Sequence, residues 1–205
     1  MDCIVRKLKA SVNNANLPVF ENVILKNYLT TSENGQYIRF PFYSWTKNTK
    51  MEVVFEVVSK TPGYSMICST TSNTYIQQRL GYVQIYNASK VDDYSLTTDT
   101  EHRAGIDTSD GSAYYDDSTG TGTPFATEAL WNNLSIFGRA NDYGEYSTAG
   151  NIKIKSVKIT THQTASDEGV VYNLVPALVN GVAGLYDTDR GTFYTEANGG
   201  TLVCG

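Results

Sequence analysis

Apolar and polar residues alternate with period two along most of the chain after residue 21, the spacing of a half-buried strand. In "MEVVFEVV", Met51, Val53, Phe55 and Val57 share one face, and Glu52, Val54, Glu56 and Val58 share the other. "QYIRFPF" repeats the pattern with Ile38, Phe40 and Phe42, and Pro41 points to an edge or a strand end. Further strands are expected at 64–68, 75–87, 94–98, 102–107, 112–116 and 134–139, then in "NIKIKSVKIT", "VVYNLV", "VAGLYD", "GTFYT" and "TLVC". In "IKIKSVKI" the apolar parity passes from Ile152 and Ile154 to Val157 and Ile159, so a β-bulge is expected near Ser156. Only 123–133 suggests a helical turn. This many strands, separated by Gly, Asn, Asp and Ser, predict an all-β, two-sheet antiparallel β-sandwich of the jelly-roll type.

Residues 1–20 break the pattern. Ile4, Val5 and Leu8, interleaved with Arg6, Lys7 and Lys9, make an amphipathic arm ahead of a domain over 21–205. Helix and edge strand are both open for the arm, and either leaves apolar side chains in need of a partner surface. Near the other end, "GLYDTDRGTFY" (184–194) sets two Asp beside an Arg. It reads as a hairpin: Leu185 and Tyr186 end one strand, and Thr192, Phe193 and Tyr194 begin the next. Asp side chains bond turn amides, and Gly191 supplies a positive φ. Asp187 and Asp189 are expected in solvent within the turn, not at a reactive site.

Composition narrows the function. A chain of 205 residues with 15 Tyr and 17 Gly suits one sizeable β core. The net charge of −5 is uneven: residues 92–128 carry nine acids against Arg103 alone, so that segment holds −8 and the rest of the chain +3. Such a field repels phosphate backbones, and no basic stripe with interleaved aromatics appears elsewhere, which argues against nucleic acid as a partner. The acidic segment reads as solvated loops, with Ca²⁺ as the alternative, although "DTSDGSAYYDD" does not follow the EF-hand pattern. No apolar run is long enough for a membrane span, and the start lacks an apolar core and a cleavage site, so neither insertion nor export is expected. Cys3, Cys68 and Cys204 are odd in number and lack metal-ligand spacing, the pattern of free thiols in a reducing compartment.

The stretch "YNLVPALVNGVAGLYDTDRGTFYTEANGGTLVCG" as a whole resembles the C-terminal signature of concanavalin A-like (LamG or pentraxin-like) jelly-roll domains of gut bacteria and of the virion proteins of their phages. The matching pieces are Val175 to Ala177, Gly184 to Asp187, Gly191 to Tyr194 and Thr201 to Gly205. "QYIRFPFYSWTKNTKMEVVFEV" and "LSIFGR" followed by "GNIKIKSVKI" are similar to earlier strands of that family. The resemblance covers about residues 22 to 205. It implies a lectin-like sandwich, with the arm docking it to capsid or to sister subunits, by analogy as a homo-oligomer, a trimer in the first instance.

Related sandwiches include glycoside hydrolases that carry Glu-x-Asp-x-x-Glu on one strand, and no such set occurs here: Glu52 and Glu56 share a face with no Asp between them. His102 and His162 stand apart, and there is no nucleophile elbow, P-loop or zinc set. No catalytic residue is assigned and no enzymatic activity is expected. Aromatics remain as the binding signal, because sugar rings stack their C–H faces on indole or phenol while carboxylates bond their hydroxyls. Trp45, Tyr114, Tyr115, Asp116 and Trp131 are the candidate glycan platform, with core packing as the competing role for each aromatic. The expectation is a non-enzymatic phage virion protein, a head fibre or decoration component assembled in the bacterial cytoplasm. A bacterial cell-surface adhesin is the alternative, and a hydrolase with a degenerate site comes third.

Overall fold

The computed structural model describes residues 22–41, 49–70, 74–87, 90–120, 133–138, 149–161, 170–196 and 201–205. The arm, with Ile4, Val5, Arg6, Lys7, Leu8 and Lys9, lies outside them, as do Cys3, Phe42, Trp45, Trp131 and all of the expected helical turn but Asn133, which opens a strand. The described chain is strands and turns. In order the strands are β1 (Val23–Leu25), β2 (Leu29–Thr31), β3 (Ile38–Pro41), β4 (Thr49–Val57), β5 (Tyr64–Thr70), β6 (Thr74–Arg79), β7 (Tyr82–Asn87), β8 (Lys90–Ser95) and β9 (Glu101–Asp107). They continue as β10 (Ala113–Tyr115), β11 (Ser118–Gly120), β12 (Asn133–Ile136), β13 (Ile152–Thr161), β14 (Val170–Val179), β15 (Val182–Asp187), β16 (Thr192–Tyr194) and β17 (Leu202–Cys204).

They form two antiparallel sheets. The larger runs β11-β10-β9-β4-β13-β14-β15-β16, with β1 on β14 and β2 bridging β13 to β17. The smaller runs β3-β12-β5-β6-β7-β8. The two sheets close on one another because each strand turns every second side chain inward. One inward row crosses six strands of the large sheet: Tyr115, Ala104, Val53, Val157, Leu174 and Asp187. The small sheet answers with Ile38, Phe40, Leu134, Ile136, Cys68, Ile76, Val83 and Ile85, all in the same buried cluster. Burying each of the larger aliphatic side chains contributes about 1.5–3 kcal/mol, so the alternating apolar positions supply the main driving force for this arrangement.

Local expectations mostly hold. Met51, Val53, Phe55 and Val57 are all buried, and the register of β13 against β4 shifts between Ile154 and Ser156, which is the bulge that the change of parity requires. Pro41 ends β3, the edge strand of the small sheet, the kind of position to which a residue without an N–H donor is confined.

Two expectations need correction. Residues 75–87 form two strands joined at Leu80 and Gly81 (φ 49° and 87°), a type I′ pair of dihedrals like that of Asn180 and Gly181 (φ 51° and 83°) between β14 and β15. Leu80 concealed the first turn, because a non-Gly residue with positive φ is uncommon and Leu gives no turn signal. The strand expected at 94–98 begins and ends earlier, at Lys90–Ser95, paired along β7.

Candidate functional site

The "GLYDTDRGTFY" stretch is the β15–β16 hairpin, with Leu185 opposite Tyr194 and Asp187 opposite Thr192. Gly191 has φ 68°, and Asp187 Oδ1 accepts the Asp189 amide at 3.0 Å. One expectation is reversed: Asp187 is fully buried, not in solvent. As the last residue of β15 it faces inward, and its Oδ2 accepts from Arg190 Nη1 at 3.0 Å while the Arg190 guanidinium lies 3.9 Å from the Tyr172 ring centre. Asp189 is exposed and bonds Asn173. The hairpin therefore uses its carboxylates to hold its own turn and edge.

Tyr114, Tyr115 and Asp116 do not share a surface, because successive residues of β10 point to opposite faces. Tyr115 is buried and stacks between Tyr94 and His102, at 5.4 and 5.0 Å. Asp116 leaves the strand end, accepts the Arg103 amide at 2.8 Å and faces His102 Nδ1 at 2.9 Å. The other ring nitrogen, His102 Nε2, donates to the Thr97 carbonyl oxygen at 2.7 Å, so both nitrogens of this buried imidazole are engaged.

Tyr114 faces outward. Its ring lies across Gly105 of β9, where a Cβ would overlap it, and its hydroxyl donates to Glu52 Oε2 at 3.0 Å. Arg103 Nη2 reaches the same oxygen at 2.5 Å, and Lys50 sits 5.3 Å from the Tyr114 ring centre. Burial pushes the Tyr114 hydroxyl pKa up, and the Glu52 charge adds to it.

The two glutamates of β4 are both paired. Burial favours the neutral form of Glu52, but hydrogen bonds from Arg103 and Tyr114 outweigh it and hold the carboxyl below its usual range. Lys153 at 2.7 Å does the same for Glu56, with Lys155 at 3.5 Å. Much of the acidic segment is turn chemistry: Asp107 Oδ1 accepts the Ser109 amide and Asp110 Oδ1 the Ser112 amide. Among the described residues no three His, Cys, Asp or Glu side chains converge as a metal set.

A different surface combines exposure, aromaticity and free donors. On the small sheet Ile76, Val83 and Ile85 face the core, so the alternate residues of β6 and β7 face away from it. They form three rows. Ser69, Tyr75 and Tyr86 make one, with the two Tyr rings stacked at 5.2 Å. In the next, the Gln77 amide donates to Gln84 at 2.7 Å and the Gln84 amide to Asp93 at 2.9 Å, a chain that fixes both buried glutamines. The last row is Tyr64, Arg79, Tyr82 and Ser95.

This last row is open. Of six exposed large hydrophobic residues among the described ones, three are here: Tyr64 at 44%, Leu80 at 61% and Tyr82 at 49%. Arg79 stands 5.0 Å over the Tyr64 ring centre. The stem of Lys60 lies beside Gly81. Among the described residues neither Arg79 nor Lys60 forms an ion pair or a side-chain hydrogen bond. Leu80 is exposed and is held at positive φ by the hairpin turn, a conformation that a Leu side chain rarely adopts. The sequence carried a partial signal for this face: Tyr and Gln alternate with apolar residues through 82–86, whereas in 75–79 only Ile76 is apolar and Gln78 interrupts the pattern.

With this geometry in hand, comparison with solved structures places the architecture. A candidate carbohydrate binding protein of Bacteroides ovatus superposes with a TM-score of 0.64 at 12% identity, over 88% of this chain and 60% of that one. The fold is a concanavalin A-like jelly-roll sandwich. The heptameric SAP-like pentraxin of Limulus polyphemus matches at 0.53 and 12% identity, over 92% of this chain and 97% of its own. A Trypanosoma rangeli sialidase in complex with 2,3-difluoro-KDN matches at 0.51 and 11%, over 67% of this chain and 26% of the sialidase. The chain thus spans 60% of the length of the Bacteroides protein and about a quarter of the sialidase. No family model matches the chain, and no curated protein matches its sequence.

Proposed function

We propose that the protein is a non-enzymatic, lectin-like module that binds glycans through the exposed β6–β7 end of its small sheet. The observation that carries this reading is the row of Tyr64, Arg79 and Tyr82, two exposed rings flanking a guanidinium that, among the described residues, has no ion-pair partner. Rings offer stacking surface for sugar C–H faces, and oriented polar groups choose among hydroxyls. The same sandwich occurs in a candidate carbohydrate binding protein, in keeping with this use. Binding without turnover is supported by the state of the carboxylates. A glycosidic acid needs a raised pKa, whereas Glu52 and Glu56 are paired with cations and lowered.

The finer part of the proposal is the setting: a phage virion structural or decoration protein displayed outward, with residues 1–20 docking it to capsid or sister subunits. It rests on the resemblance of the C-terminal stretch and on the amphipathic arm. We propose display as a homo-oligomer, because repeated copies convert weak sugar contacts into useful avidity; the SAP-like pentraxin of Limulus is heptameric.

A glycan array probed with wild type, Y64A and Y82A, with and without Ca²⁺, tests the binding reading. Retention of a sugar class by wild type and its loss in Y82A, with thermal unfolding unchanged, is the expected result. If wild type retains no sugar, the lectin reading falls and pure decoration remains. Removing residues 1–20 should abolish assembly in size-exclusion chromatography while the sandwich still unfolds cooperatively; loss of folding would place the arm in the core.

A further inference from the structure

The open row also constrains which glycan fits, an inference that rests on the glycan-binding reading above. The protein carries a net charge of −5, yet Arg79 at the β6–β7 turn and Lys60 beside it have, among the described residues, no carboxylate partner. Asp93, the acid on the same face, lies two strands from Arg79 and in the neighbouring row. Strand spacing and rise put it about 12 Å away, beyond the screening length of about 8 Å at physiological ionic strength. Among the described residues, no carboxylate therefore pairs with Arg79, although the molecule as a whole is acidic.

The chemistry of that cation is specific. A guanidinium presents a planar fork of donors matched to the two oxygens of a carboxylate. Arg79 is held by the Tyr64 ring rather than by hydrogen bonds, so its fork is positioned but unspent. Tyr82 is its register partner on β7 and Tyr64 on β5, which sets aromatic surface on both flanks. Lys60, its stem beside Gly81, supplies a second positive charge near the turn. A neutral sugar would use the rings and leave both cations unmatched.

We propose that this surface binds a carboxylate-bearing glycan, the acid group pairing with Arg79 while the sugar ring stacks on Tyr82 or Tyr64, and that Arg79 determines the preference for acidic over neutral sugars.

The test measures binding of oligogalacturonate and of sialyllactose, each beside its carboxyl-reduced counterpart, by calorimetry or biolayer interferometry on the full chain. Wild type should bind at least one acidic probe, and reduction of its carboxyl should weaken binding at least about tenfold. R79Q should erase that difference, and R79K should keep part of it, since charge remains without the fork. Thermal unfolding of each variant reports on folding, and among the described residues the Arg79 side chain makes no hydrogen bond whose loss would disturb it. Equal binding of acidic and reduced probes, or R79Q binding the acid as wild type does, overturns the proposal. In either case, loss of neutral-sugar binding in Y82A would leave the broader glycan reading standing. Absence of binding to every probe and to a broad array removes both.

Discussion

Replacing Asp187 tests whether a carboxylate that looked like a solvated turn residue is part of the core. In the structure it is fully buried at the end of β15 and accepts from the Asp189 amide at 3.0 Å, the Arg190 amide at 3.4 Å and Arg190 Nη1 at 3.0 Å. D187A removes both acceptor oxygens and with them all three hydrogen bonds. Each turn amide left without a partner costs about 1 kcal/mol, and the charged contact adds about 1 kcal/mol once discounted for an Arg190 side chain that is one-third exposed. The sum is about 3 kcal/mol. For a domain of this size, that lowers Tm by about 6–12 °C. D187N keeps an oxygen for the amides and loses the charge, so it should cost about 1–1.5 kcal/mol. Equilibrium urea denaturation of the three proteins measures both numbers. A D187A protein within about 0.5 kcal/mol of wild type, the range of ordinary surface changes, would refute the buried role.

Other expectations follow from single contacts. G105A introduces a Cβ that overlaps both the Tyr114 ring and the Met51 carbonyl oxygen, so it should destabilise by about 2–3 kcal/mol in urea. Adding Y114A should recover only part of that loss, because the backbone overlap with Met51 remains. Glu52 and Glu56 titrate below the ordinary value of 4.5 in the folded state. Their contribution to stability is therefore complete above about pH 4.5 and is lost as pH falls through the lower folded values; E52Q/E56Q should flatten this acid limb of a stability–pH curve. L80N should raise stability by about 0.5–1 kcal/mol, since Asn tolerates the positive φ that Leu80 adopts and Leu80 has little burial to lose. If Leu80 is strained for binding, the same variant should hold glycan less well while unfolding at a higher temperature.

Period-two pattern made the sandwich legible, because inward positions such as Met51, Val53, Phe55 and Val57 repeat the geometry of the strand itself. The bulge was equally visible, since one added residue must move the apolar set to the other parity. The Leu80–Gly81 turn was hidden, as Leu stands where Asn or Asp would announce a type I′ hairpin. The candidate site was hidden for a related reason. Tyr64 and Tyr82 are far apart in sequence and meet across Arg79 only through pairing of three strands, and local sequence does not state register. Tyr114 and Tyr115, by contrast, are neighbours in sequence and are separated by the pleat, so adjacency in the chain suggested a platform that the strand geometry divides. Asp187 followed the same logic: its place in a turn motif suggested solvent, and its inward parity at the end of β15 decided its burial.

The most direct test of the account is to locate a bound sugar. Resonances of an isotope-labelled protein should be followed as the best glycan from the array is added. The account predicts shifts centred on Tyr64, Arg79, Leu80 and Tyr82 at the β6–β7 end of the small sheet, with the outer face of the large sheet unmoved. Shifts centred instead on Glu52, Arg103 and Tyr114 would contradict it.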